Sequence, residues 1–387
     1  MSFQPVGHAK SHLARYRQLA PTAAVKVSPL CLGAMNFGEG WSERLGKCNK
    51  ETSFQILDYF YENGGNFIDT ANNYQDEDSE KWVGEWIESR GVRDEIVLAT
   101  KYASPYRKYM SGRGDACVQA NYIGHNAKAL RVSVEASLRK LRTDYIDLLY
   151  VHWWDWSTSV EEVIQSLNQL VALGKVLYLG ISDTPAWIVS KANQYARDHS
   201  LRPFSVYQGI WNTAKRDLER EIVPMCQAEG MGIAPWGVLG QGRLKSTAAR
   251  EEIERTGHDG RQTRPSDTEI AVSQVLENMA TKRNSEITSI ALAYIMHKYP
   301  YVSPIVGQRK VEHLKSNIDA LAISLSEEEI SEIDNSHDFD LGFPMNFVFQ
   351  GQKRDPHPKN VLFMYSTAKF DYPEFPRATP TKSLEDA

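Results

Sequence analysis

Cysteine is scarce in this chain. Cys31, Cys48, Cys117 and Cys226 are scattered without a CxxC pair or a Cys/His cluster. That argues against a disulfide frame or a zinc site and points to free thiols in a reducing compartment. No apolar run approaches the roughly 20 residues of a membrane span. The polar first 20 residues carry Lys10, Arg15 and Arg17, where a secretory signal needs an unbroken apolar stretch. A basic excess is also missing: the formal net charge is -5, so nucleic acid is not the expected partner. No candidate strand leads into GxGxxG, which disfavours a Rossmann domain. These absences predict a cytoplasmic globular protein.

What the chain does have is eight short apolar runs, at 27–35, 66–71, 96–101, 146–153, 176–182, 205–212, 230–237 and 301–307. They are continuous rather than alternating, as parallel strands covered on both faces are. Helical spacing lies between them: residues 52–63, 127–142 and 161–173 each gather apolar side chains on one face. An open doubly wound sheet also alternates strand and helix, but it usually needs fewer strands. The pattern predicts an α/β fold, the (β/α)8 or TIM barrel, with long loops at its C-terminal face. The expected organisation is an N-terminal extension over 1–26, the barrel over 27–334 and a C-terminal tail over 335–387. Residues 102–126 and the charged, loop-like 241–267 rise from the face where barrel enzymes keep their active sites. The tail is rich in proline and aromatics, so it is expected to pack on the barrel, on a second subunit of a homodimer, or beside the substrate site.

Strand ends carry the candidate chemistry. The second strand ends at Asp69 and leads to Tyr74, the third ends in Lys101, and the fourth in His152. Singly, these residues read as a turn cap, a loop anchor, a surface lysine and a core histidine. Their convergence on one face points to function. Reducing a carbonyl builds negative charge on oxygen, which a positioned proton donor relieves. A free phenol, with a pKa of about 10, is a weak acid at neutral pH. A neighbouring Lys101 is expected to lower the pKa of Tyr74. Asp69 would keep that lysine charged and aimed, and His152 would orient the carbonyl oxygen.

The run GGNFIDTANNYQDEDSEKWVGEW, the ending IVLATK and the passage SLRKLRTDYIDLLYVHW resemble the aldo-keto reductases. LGAMNFG, YVHWWDW and GISDTPAW are similar to its fungal aryl-alcohol dehydrogenase and norsolorinic-acid-reductase-like branch. The resemblance implies a catalytic tetrad of Asp69, Tyr74, Lys101 and His152 and a nicotinamide cofactor. It places Ser182, Asp183 and Gln208 at the carboxamide, with Asp183 standing where the family usually has Asn. A carboxylate accepts from the amide NH2 but cannot donate to its carbonyl. Trp236 would stack on the nicotinamide. The loop Gly237, Leu239, Gly240, Gln241, Gly242 and Arg243 would cross the pyrophosphate. Gly307, Gln308, Arg309, His313 and Asn317, at a helix start, would take the 2'-phosphate, so NADP(H) is the implied cofactor.

The substrate implied is a small aromatic carbonyl. Phe37, Trp41, Tyr102, Trp153 and Trp154 follow strands near the mouth and offer flat faces for it. A non-catalytic NADPH-sensing module of the same fold is an alternative. A barrel glycosidase using Asp69 and Asp155 is another, but it leaves the Tyr/Lys/His set idle.

Overall fold

The computed structural model describes residues 7–106, 118–256, 263–350, 357–373 and 377–385. Cys117 and parts of both long loops lie outside the described residues. An antiparallel hairpin comes first, β1 (Arg17–Ala20) and β2 (Ala23–Val27). Eight strands follow: β3 (Cys31–Gly33), β4 (Phe67–Asp69), β5 (Val97–Tyr102), β6 (Ile146–Val151), β7 (Val176–Ser182), β8 (Phe204–Gln208), β9 (Gly232–Ile233) and β10 (Ile305–Gly307). They pair in parallel in chain order, with β10 beside β3. A parallel bridge between Ile233 and Val302 joins the remaining edges and closes the barrel.

Several strands are shorter than their apolar runs. Residues 27–30 belong to the end of the hairpin and its exit through Pro29, so the first barrel strand begins at Cys31. Pro235 cuts the seventh run to two residues, because a residue without an N–H cannot continue the ladder. The helices Lys50–Glu62, Ala127–Leu141 and Val160–Ala172 start where Asn49, Asn126 and Ser159 accept from backbone N–H groups of the first turn. One expectation fails outright: the loop-like stretch 241–267 contains a helix, Thr247–Thr256. Ser246 accepts from Ala249 N at its start, and its Ala, Glu and Arg residues are strong helix formers.

Strand parity decides what enters the barrel. Phe67, Val97, Ala99, Leu148, Tyr150, Val206 and Ala234 pack with Cys31 in one inner cluster. Leu32, Ile68, Leu98, Tyr102, Leu149, Val151 and Tyr207 pack outward under the helices. Asp69, Lys101, His152, Gln208 and Trp236 continue the inward series at the C-terminal end. A one-residue slip would turn all five to the wrong side. Gly180 leaves room for the Tyr150 ring, which a Cβ would strike. At the opposite end Leu19, Ala20, Ala23 and Val27 of the hairpin join the inner cluster and floor the barrel.

A buried charge network fastens the loop after β8 to the last helices. Arg216 donates to Glu219 at 2.9 and 2.6 Å and to the Asp334 carbonyl at 3.1 Å. Lys298 lies 3.3 Å from Glu219. Burial would raise the Glu219 carboxyl, but Lys298 and Arg216 hold it at about 2, against its ordinary 4.5. A depressed carboxyl adds stability above its unfolded value and loses it as pH falls toward the folded one. The gap corresponds to on the order of 3 kcal/mol. Urea-unfolding free energy is therefore expected to fall between pH 4.5 and pH 2, and Glu219→Gln to flatten that slope. An unchanged slope would assign the acid sensitivity to other carboxylates.

The described part of the tail runs along the outside of the barrel. Phe339 lies under the Arg216 and Arg220 guanidinium groups, Thr381 donates to the Ile323 carbonyl, and Ser383 accepts from Arg15. Among the described residues of the tail, none lines the cavity described next. Nor is any helix among the described residues long and apolar enough to cross a membrane.

Candidate active site

The inward side chains at the C-terminal end open into a cavity of about 1470 Å³. At its inner end lie Asp69, Tyr74, Ser104 and His152; at its far end lie Arg309, His313 and Asn317. Lys101 is fully buried beneath it and donates to Asp69 Oδ1 at 2.5 Å and to the Thr70 carbonyl at 2.7 Å. Its ammonium sits 4.8 Å from the centre of the Tyr74 ring. Gln208 Nε2 donates to Asp69 Oδ2 at 3.0 Å, so both carboxylate oxygens are engaged. The structure thus gives Gln208 a duty toward the ion pair as well as a place in the cavity wall.

Tyr74 owes its position to a strained turn. Gln75, Asp76 and Glu77 have φ of 54°, 54° and 80°, left-handed values that cost non-glycine residues energy. Bonds to the loop after β3 hold them there. Gln75 Nε2 donates to the Met35 carbonyl at 2.9 Å, its Oε1 accepts from Trp41 N at 2.7 Å, and Asp76 accepts from the Trp41 indole at 3.0 Å. Two loops therefore fix one hydroxyl.

The electrostatics correct one expectation. Burial pushes the Tyr74 phenol above its usual range, and Lys101 offsets only part of that rise. The phenol is kept protonated rather than acidified before reaction. Burial opposes the charge on Lys101, but Asp69 and Tyr74 more than compensate and raise its pKa. His152 is pushed down to about 3 by burial and by Lys101, so its imidazole is neutral. Burial likewise raises the Asp183 carboxyl, which accepts from Ser182 Oγ at 3.0 Å and from the Trp236 indole at 3.3 Å.

Most cofactor candidates line the cavity: Asp183, Gln208, Trp236, Gly237, Leu239, Gln241, Gly242, Gly307, Gln308, Arg309, His313 and Asn317. Ser182, Gly240 and Arg243 do not. Ser182 is spent on Asp183; Gly240 is buried beneath Leu244; Arg243 donates to Gln241 and lies 3.8 Å from Glu269. None of the five aromatic substrate candidates lines the cavity. Phe37 and Tyr102 are fully buried, Tyr102 because its strand position faces outward. Trp154 packs against His125 in the core, with ring centres 5.0 Å apart. Trp41 gives its N–H to Asp76 and meets Tyr74 edge-on, and Trp153 gives its N–H to Ser104. Ser104 and Asn36 line the cavity unforeseen, as do Lys245, Ser246, Ala249 and Ile253 around helix Thr247–Thr256. The Ser cap and the Ala/Glu/Arg composition signal that helix; no local signal marks Ser104.

A protonated phenol, a charged lysine beside it and a neutral imidazole are suited to handing a proton to a polarised oxygen, which places the molecule among the barrel oxidoreductases. The model of the Aldo/keto reductase family matches residues 29–338, and the chain belongs to that family. It is 54% identical over 369 residues to norsolorinic acid reductase B of Dothistroma septosporum, covering 94% of this chain and 93% of that one. It is 58% identical over 339 residues to norsolorinic acid reductase A of Aspergillus parasiticus, covering 87% and 85%. To aryl-alcohol dehydrogenase [NADP(+)] of Phanerodontia chrysosporium it is 50% identical over 348 residues, covering 88% and 90%. The chain is an oxidoreductase of carbonyl compounds.

Proposed function

We propose that this protein reduces aryl aldehydes, or related aromatic ketones, to alcohols with NADPH. The observation that carries the reading is one continuous cavity joining Tyr74 and His152 to the cationic segment at Arg309. Residues at the far end fit a phosphorylated dinucleotide. Among the described residues, Gln308 Nε2 and Asn317 Nδ2 are buried donors without a protein partner, a costly state that a polar ligand would relieve. Helix Val311–Asp319 has no side-chain cap at its N-terminus, which leaves backbone N–H groups for an anion. Gly237 and Gly242 have φ of 69° and 86° and carry no Cβ that would hinder close backbone approach. The relatives named for aryl alcohols and norsolorinic acid support an aromatic substrate.

Bound NADPH would supply the hydride to the carbonyl carbon. Tyr74 protonates the oxygen as negative charge develops on it. Lys101 stabilises the phenolate left behind, and Asp69 keeps that lysine in place. His152 offers an N–H to the same oxygen and aligns the carbonyl.

The test is NADPH oxidation over substituted benzaldehydes, aliphatic aldehydes and quinones. Fastest turnover on the benzaldehydes is expected. Tight NADPH binding without carbonyl-dependent oxidation on any substrate would return the sensing-module reading. For the cofactor, Arg309→Leu is expected to raise the KM for NADPH by about ten- to a hundredfold, the loss of one charge-assisted bond, and to leave that for NADH nearly unaltered. Equal losses with both cofactors would remove Arg309 from the 2'-phosphate site.

A further inference from the structure

Trp153, expected at the substrate, is linked to His152 by two hydrogen bonds through Ser104 instead. Its indole N–H donates to Ser104 Oγ at 3.0 Å, and Ser104 Oγ lies 3.0 Å from His152 Nδ1. We propose that Trp153 and Ser104 form a relay that fixes the His152 tautomer, with the proton on Nε2, and so are positioning residues for the reduction.

The chemistry of each group allows one consistent assignment. An indole nitrogen can only donate, so Ser104 Oγ accepts from Trp153. The serine's own hydrogen then needs an acceptor, and among the described residues the one available is His152 Nδ1. A ring nitrogen that accepts bears no hydrogen. In a neutral imidazole the proton must then sit on the other nitrogen, and burial with Lys101 keeps this ring neutral. Were Nδ1 the donor, Ser104 would receive two N–H groups and its own proton would be stranded. Nε2 would also face the substrate oxygen as an acceptor, repelling it where a donor is required.

The backbone is arranged to present this hydroxyl. Ala103, just past β5, has φ of 94°, an unusual value for a residue with a Cβ. Asn72, in the turn leading to Tyr74, donates to the Ser104 carbonyl at 3.2 Å. His152 N donates to the Tyr102 carbonyl at 3.1 Å, which keeps the two strand ends in register. Among the described residues Nε2 has no partner, and the ring lines the cavity.

The inference rests on the reductase reading, but its first test does not. In the full chain labelled with 15N-histidine, and with His152→Gln used for assignment, NMR is expected to show Nε2 bearing the proton and Nδ1 as the bare nitrogen. Ser104→Ala should give a mixture of tautomers, Ser104→Thr should keep the original form, and Trp153→Phe should shift it part of the way. Ser104→Ala is also expected to lower kcat about tenfold, with KM and NADPH affinity within about twofold of the unaltered protein, and Ser104→Thr to restore it. A proton on Nδ1 in the unaltered chain overturns the relay. So does an unchanged tautomer in both Ser104→Ala and Trp153→Phe. Absence of any carbonyl reduction by the unaltered chain would overturn the reductase reading, and the NMR result would still decide the relay.

Discussion

Tyr74→Phe is expected to lower kcat by about a thousandfold or more, within the range a positioned general acid contributes. The substitution removes one oxygen and little else. The ring keeps its edge-on contacts with Trp41 and His152, at 6.1 and 5.8 Å between centres. The strained turn is held through Gln75 and Asp76 rather than through the phenol. Cofactor affinity, which the proposed site assigns to Trp236 and to the segment from Arg309 to Asn317, should stay within about twofold. Steady-state turnover with a benzaldehyde, beside fluorescence titration with NADPH, separates the two effects. Turnover near that of the unaltered protein would remove Tyr74 from the mechanism, and a large loss of NADPH affinity would recast it as a binding residue.

Lys101→Met is expected to damage both rate and stability. Lys101 and Asp69 form a fully desolvated pair, and removing one partner strands the other. Breaking such a pair costs about 3–5 kcal/mol, whereas replacing both partners can be nearly neutral. The double variant Lys101→Met with Asp69→Asn should therefore recover most of the stability, while Gln208 retains an oxygen to donate to. It should not recover the rate, because no cation then faces the phenolate. Urea unfolding measured beside turnover tests both halves. Recovery of turnover in the double variant would show that the pair holds structure rather than assisting proton transfer.

The barrel and the convergence of Asp69, Tyr74, Lys101 and His152 at its mouth were readable because both depend on short-range pattern. Apolar runs such as IDLLYV mark parallel strands, and a polar residue closing such a run, as Lys101 closes VLATK, marks a strand end facing the mouth. Contacts between loops left no such mark. The bonds from Gln75 to Met35 and Trp41 span 40 and 34 residues. That from Trp153 to Ser104 spans 49. Aromatic clustering near the mouth suggested substrate contact, but composition cannot tell an inward strand position from an outward one, and Tyr102 falls outward. The Tyr74 shift was misjudged because a neighbouring charge can be named from sequence, whereas the depth of burial opposing it cannot.

The hairpin floor bears on how the enzyme recharges. Leu19, Ala20, Ala23 and Val27 close the end of the barrel opposite the cavity with apolar side chains, and Tyr150 and Leu148 fill the interior above them. Among the described residues this inner cluster carries two hydroxyls, on Tyr150 and Tyr178, and no carboxylate, and the Tyr150 hydroxyl has no hydrogen-bond partner that would extend a proton path toward Lys101. On the proposed mechanism the barrel is then a blind well: the proton that Tyr74 gives away has to be replaced through the mouth by which the alcohol leaves. Recovery of the acid is thereby coupled to departure of the product, and solvent reaches the phenolate only once that opening is clear.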